Sequence, residues 1–200
     1  MAKATSRNSS ATAPKAASRL RFSAKLLRPA PASTAGKSVA WTFLNLPASA
    51  SRKLPSRGMV SVEGTMNDAP LLATLQPDGK GGHWLQVDRT LREAAGADVG
   101  DMVTLDIAPA AVDPEPEVPP DLRKALAAAT PRAREVWAAT TPAARRDWIQ
   151  WITSGKRAET RPLRIGKACD MLAQGKRRPC CFDRSGMYDK SMSCPLADES

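Results

Sequence analysis

Two hundred residues with a formal charge of +10 allow one large domain or two small ones, each with a modest core. No apolar run approaches the ~18 residues of a membrane span. The four cysteines lie in the last third with no signal peptide ahead of them, which argues for reduced thiols over a disulfide scaffold. A soluble, cytoplasmic protein is the expectation.

Charge is unevenly placed. Residues 1–62 carry eleven Lys/Arg and no acid, residues 63–118 carry three basic and eleven acidic groups, and residues 119–200 carry sixteen basic and nine acidic groups. Attraction to polyanions is therefore expected at the two ends of the chain only. Residues 1–20 loosely mimic a transit peptide but lack amphipathic periodicity, so a disordered basic tail is expected.

From Arg21 the sequence predicts strands, and residues 21–108 form the first domain. Arg21–Leu27 and Val39–Leu46 are β-rich, and Pro47–Leu54 reads as a short helix or turn. Met59–Met66 alternates, with Val60, Val62, Gly64 and Met66 on one face and Ser61, Glu63 and Thr65 on the other. Asn67-Asp68 turns the chain into Leu71–Gln76, and a Gly-rich hairpin over 77–82 leads into His83–Asp88. Thr90-Leu-Arg-Glu93 has the form of a capping box, opening a helix that Gly96 ends. A last strand alternates Val103, Leu105 and Ile107 against Met102, Thr104 and Asp106. Six short strands and one short helix favour a small closed β-barrel, because closure removes exposed edges.

Residues 109–120 hold five prolines, which predicts an extended linker. Everything beyond is helical, over 121–178. Asp121 caps a first helix to about Ala128, Thr130-Pro131 opens a second, and Thr141-Pro142 a third, each Pro standing where its missing N–H costs nothing. A fourth runs from about Ala158 to Ala173 and ends at Gly175. Residues 179–200 read as a loosely ordered tail. The fold class expected is α+β: a small closed barrel followed by a bundle of about four short helices.

In the third helix Ala144, Trp148, Trp151 and Ile152 share one face, opposite Arg146, Asp147 and Gln150. The tryptophans read as core. In the fourth, Ile165, Cys169 and Leu172 form the apolar stripe. Arg157, Arg161, Arg164 and Lys167, continued by Lys176, Arg177 and Arg178, make a candidate contact surface for an acidic partner or polyanion; a solvated face is the plain alternative. Pro162 disfavours helical geometry at Arg161 and delays the helix start.

Cys180 and Cys181 are candidate redox thiols, since the cations beside them favour thiolate. Their spacing makes no zinc site, and the one histidine, His83, lies in the other domain. A nucleophilic triad would have to rest on His83, which beside Trp84 reads as structural. The Gly-rich turn precedes no helix and is not a phosphate loop. No enzyme activity and no cofactor are expected.

Thr141-Pro-Ala-Ala-Arg-Arg-Asp-Trp-Ile-Gln-Trp-Ile152, Lys156-Arg-Ala-Glu-Thr-Arg161, Arg164-Ile165 and Gly175-Lys-Arg-Arg178 resemble the helical domain of the YdeI/OmpD-associated, or bacteriocin-protection-like, family. Val60-x-Val-x-Gly64, Leu91-Arg-Glu-Ala-Ala-Gly96 and Val99-Gly-Asp101 are similar to the β-barrel domain of unknown function that often precedes it. The resemblance implies a small bacterial protein linked by name to bacteriocin or antimicrobial-peptide tolerance. It supplies no catalytic residues.

A non-enzymatic protein with a basic contact face is the main expectation, its partner unknown. A nucleic-acid-binding regulator is the alternative, since a helix leading through Val99-Gly-Asp101 into a strand also occurs in AbrB-like barrels and both chain ends are basic. The acidic barrel region disfavours it. A third reading is a small-ligand barrel lined by Trp41, Phe43 and Trp84.

Overall fold

A computed structural model describes residues 19–30, 41–154, 159–180, 184–185 and 193–198. The first half is one antiparallel sheet of six strands: β1 (Leu20–Lys25), β2 (Thr42–Asn45), β3 (Val60–Met66), β4 (Ala69–Pro77), β5 (His83–Val87) and β6 (Met102–Pro109). Their spatial order is β1-β6-β3-β4-β5-β2. β1 pairs with β6 from Leu20↔Ile107 to Lys25↔Met102, and β3 pairs with both β4 and β6. The two outer strands approach where Leu27 and Phe43 exchange backbone hydrogen bonds of 2.7 and 2.9 Å, so the barrel is nearly closed.

Alternation sends Leu44, Val62, Met66, Leu75, Leu85, Val87, Val103, Leu105 and Ile107 into one packed interior. Asn67 and Asp68 make the β3–β4 turn with positive φ (46° and 68°), as a tight hairpin requires. Gly64 is fixed by proximity: a Cβ there would lie 2.0 Å from the Asp106 carbonyl oxygen on β6. Two short helices, α1 (Ala48–Ser51) and α2 (Arg89–Ala94), interrupt the strands. The capping box expected at Thr90 and Glu93 does not form. The Asp88 side chain accepts from the Leu91 amide at 2.8 Å and caps α2, while Glu93 pairs with Arg89.

The second half holds α3 (Pro120–Ala128), α4 (Pro131–Ala138), α5 (Pro142–Thr153) and α6 (Thr160–Ala173). Thr130 and Thr141 cap α4 and α5 by accepting from Ala133 and Ala144 amides, with Pro at the first helical position of each. α6 starts at Thr160, two residues after the expected Ala158, but Pro162 does not keep Arg161 out of the helix. It occupies the first turn, where its missing N–H has no intrahelical partner to lose, and Arg161 is helical. Gly175, at φ 84°, ends α6 as its amide reaches the Leu172 carbonyl and the Lys176 amide the Met171 carbonyl.

Leu122, Leu126, Ala133, Val136, Trp148, Ile152, Ile165, Ala168, Met171 and Leu172 form a second core, separate from that of the barrel. Trp148 is fully buried, as its helical spacing implies. Part of the expected loose tail is tied down: the Ala30 amide bonds the Leu196 carbonyl at 2.7 Å and the Asp198 amide the Arg28 carbonyl at 2.8 Å.

Gly64→Ala should destabilise the barrel by about 2–3 kcal/mol, as at overpacked sites. Urea unfolding followed by Trp fluorescence reads this as a lower midpoint; an unchanged midpoint contradicts the close β3–β6 approach.

Candidate functional site

The candidate cations on α6 and just beyond it divide into two groups. Arg161 forms a two-pronged pair with Asp121 (2.6 and 2.9 Å), fastening α6 to the start of α3 and holding the Asp121 carboxyl down at about pKa 2, chiefly through that hydrogen bond. Arg164 donates to the Trp151 carbonyl and to Ser154 Oγ, and its guanidinium lies over the Trp151 ring. Arg178 pairs with Asp147 on α5. The other group is Lys167, Lys176 and Arg177, which are exposed and have no ion pair with a described residue. Arg157 lies outside the described residues, so the expected stripe of Arg157, Arg161 and Arg164 is described only in its last two members. Both of those are held by internal partners.

The polar face of α5 faces protein rather than solvent. Arg146 Nη1 donates to Ser61 Oγ on β3 at 2.7 Å, and Nη2 to Asp113 Oδ1 at 2.9 Å. Ser61 Oγ in turn donates to the same Asp113 oxygen at 2.6 Å. These bonds hold Asp113 below its usual carboxylate range against the opposing effect of burial, which is larger than any one of them. One turn of chemistry thus joins the helical half, the proline-rich segment and the barrel. Ser61, on the strand face that alternation assigns away from the barrel core, is buried beneath this junction.

Asp147, only 3 % exposed, meets Arg178 and Arg184 Nε, the latter at 3.2 Å. Burial pushes its carboxyl upward, and Arg184, Arg178 and Arg146 oppose that rise. The Pro-rich segment is anchored again by Glu115, which pairs with Arg145 at 2.6 Å.

The remaining candidates separate. Cys180 is exposed, with its thiol 3.4 Å from Met171 Sδ, while Cys181 lies outside the described residues. Cys194 is elsewhere, 2.9 Å from Asn45 Oδ1, its thiol pushed by burial to about 11. Burial likewise raises Cys169. No cluster of three metal-ligating side chains occurs among the described residues.

Trp41, Phe43 and Trp84 do gather, with ring centroids 6.1–6.3 Å apart. They do not line the barrel interior. Leu44 and Leu85 are register partners that face inward, so Phe43 and Trp84, each one residue away, face outward. The ligand-barrel reading fails on this point.

His83 is buried, its Nε2 3.1 Å from the Gly58 carbonyl oxygen. Desolvation lowers its pKa below 6.5, opposed by the Gly58 carbonyl, Asp78 and Ser56. Because the folded value lies below the unfolded one, His83 favours the fold fully above pH 6.5, and that contribution declines as pH falls toward the folded value. The melting temperature should therefore drop between about pH 7.5 and 5.5, and His83→Gln should shrink that drop. An identical pH dependence in the variant contradicts a buried neutral imidazole.

The helical half matches the family model described as "Bacteriocin-protection, YdeI or OmpD-Associated" over residues 115–175. The barrel matches a domain of unknown function, DUF1905, over residues 22–107. The first match begins at Glu115, the residue that pairs with Arg145, and includes Val118, which packs on the helical core. No curated protein matches the chain.

Proposed function

For a protein that joins a DUF1905 barrel to a helical domain of the YdeI/OmpD-associated family, we propose a non-enzymatic role in which the exposed cations of the helical half contact an acidic protein partner. The observation that carries this reading is the division among the basic residues. Arg161, Arg164 and Arg178 have internal acceptors, while Lys167, Lys176 and Arg177 are exposed without ion pairs among the described residues. Lys176 and Arg177 also follow the C-terminus of α6, where the helix carbonyls favour positive charge, so their placement has a local structural basis as well. A role in envelope or antimicrobial-peptide stress tolerance, from a cytoplasmic location, is the setting we propose for that contact. No described helix is long and apolar enough to cross a membrane.

Duplex binding is the weaker reading. Arg161 and Arg164, which would be needed on a recognition helix, are occupied by Asp121 and by the end of α5, and the adjoining barrel sequence is acidic.

The test is a charge reversal of Lys167, Lys176 and Arg177 to Glu together. None of the three side chains holds a buried partner among the described residues, so thermal stability should change little. Binding to poly-glutamate, measured against salt, should be present in the wild type and lost in the variant. Wild-type affinity in the variant removes this face from the account, and tighter binding to duplex DNA than to poly-glutamate replaces it with the nucleic-acid reading.

A further inference from the structure

We propose that the cleft between the barrel and the helical half is a binding site for a small organic oxyanion, a carboxylate- or phosphate-bearing molecule with a short apolar body. This inference is independent of the exposed cationic face. The cleft has a volume of about 190 Å³, and its walls come from both halves of the chain: Met59 and Ser61 from the barrel, the Asp113 carboxylate from the proline-rich segment, Ala143 and Arg146 from α5, and Arg184 beyond α6. At ~30 Å³ for each water in the liquid, that is room for a small molecule rather than a single solvent site.

Three features set the chemistry of its occupant. First, the Arg146 guanidinium is held rigidly by Ser61 and Asp113 through its two terminal nitrogens, leaving Nε buried with no hydrogen-bond partner among the described residues. That N–H is closed to solvent, so an oxyanion against Arg146 reaches it only with a small shift of the neighbouring side chains, and then satisfies a buried donor. Second, the charges do not cancel. Among the described residues, Arg146, Arg178 and Arg184 face two carboxylates, Asp113 and Asp147, an excess of one positive charge at this junction. Third, part of the wall is apolar, so a bare hydrated ion would leave Met59, Val60, Pro109 and Ala143 uncovered, while an anion with a short carbon body would cover them.

Arg184 is placed to complete the site. Its guanidinium reaches Asp147 on α5, while its backbone packs on the barrel at Gly58, where an added Cβ would come within 3.0 Å of the Arg184 carbonyl oxygen. Its side chain is 45 % exposed and touches the cleft, so it has donors to spare beyond the Nε bond to Asp147.

The experiment uses the full chain and follows arginine Nε–H resonances by ¹H–¹⁵N NMR. Propionate, inorganic phosphate and chloride are titrated separately at matched ionic strength. The Arg146 Nε–H resonance should move saturably with propionate or with phosphate and stay still with chloride. Propionate alone marks a carboxylate ligand, phosphate alone a phosphate ester, and both a site open to either. Arg184→Gln leaves Arg178 on the buried Asp147 and should weaken binding by about 10-fold, the scale of one charge-assisted hydrogen bond, with thermal unfolding of the variant checking that the fold is kept. The proposal is overturned if neither oxyanion gives a saturable shift, or if Arg184→Gln binds as tightly as the wild type.

Discussion

The contact on which the rest of the architecture depends is the Arg146 guanidinium, shared between Ser61 of β3 and Asp113 of the proline-rich segment. The two halves have separate hydrophobic cores, so apolar burial alone does not dictate how they sit together. A planar guanidinium gripping two acceptors fixes direction as well as distance, which a lysine would not. Its side chain is 13 % exposed, enough burial for the hydrogen bonds to count and for a missing acceptor to be costly. Glu115–Arg145 and Asp147 with Arg178 and Arg184 reinforce the same seam.

A basic composition therefore does not translate into a uniformly basic surface. Arginines in the helical half act largely as structural connectors, each finding a carboxylate or carbonyl: Arg161 with Asp121, Arg164 with the end of α5, Arg145 with Glu115. Lys167, Lys176 and Arg177, on α6 and just beyond it, are cations that face outward without an ion pair among the described residues, as does Lys124 on α3. The two classes of residue carry different consequences. Changing the connectors alters the fold, and changing the outward set alters what the surface attracts.

Much of the fold was legible because it follows from local chemistry. Alternation in Val60–Met66 and Met102–Ile107, Thr-Pro at two helix starts, and Gly175 after α6 each fix backbone geometry within a few residues. The misreadings come where two local solutions compete or where the partner is remote. Asp88 and Thr90 are both able caps two residues apart, and the chain uses Asp88. A helical wheel puts Arg161 and Arg164 on an edge, yet cannot reveal an acceptor forty residues away at Asp121. In the same way Ser61, Asp113 and Arg146 are unremarkable singly and become a site only when the tertiary structure assembles them. Asp147 carried a usable signal, a carboxylate one residue from an arginine and beside the core tryptophan, but its burial depended on chain from beyond α6.

This polar seam makes the barrel and the helical half one rigid unit. Residual dipolar couplings of backbone amides in weakly aligned full-length protein test it most directly. One alignment tensor should fit amides from β1–β6 and from α3–α6 in the wild type, and Arg146→Met should separate them into two. Two tensors of different orientation in the wild type would contradict it.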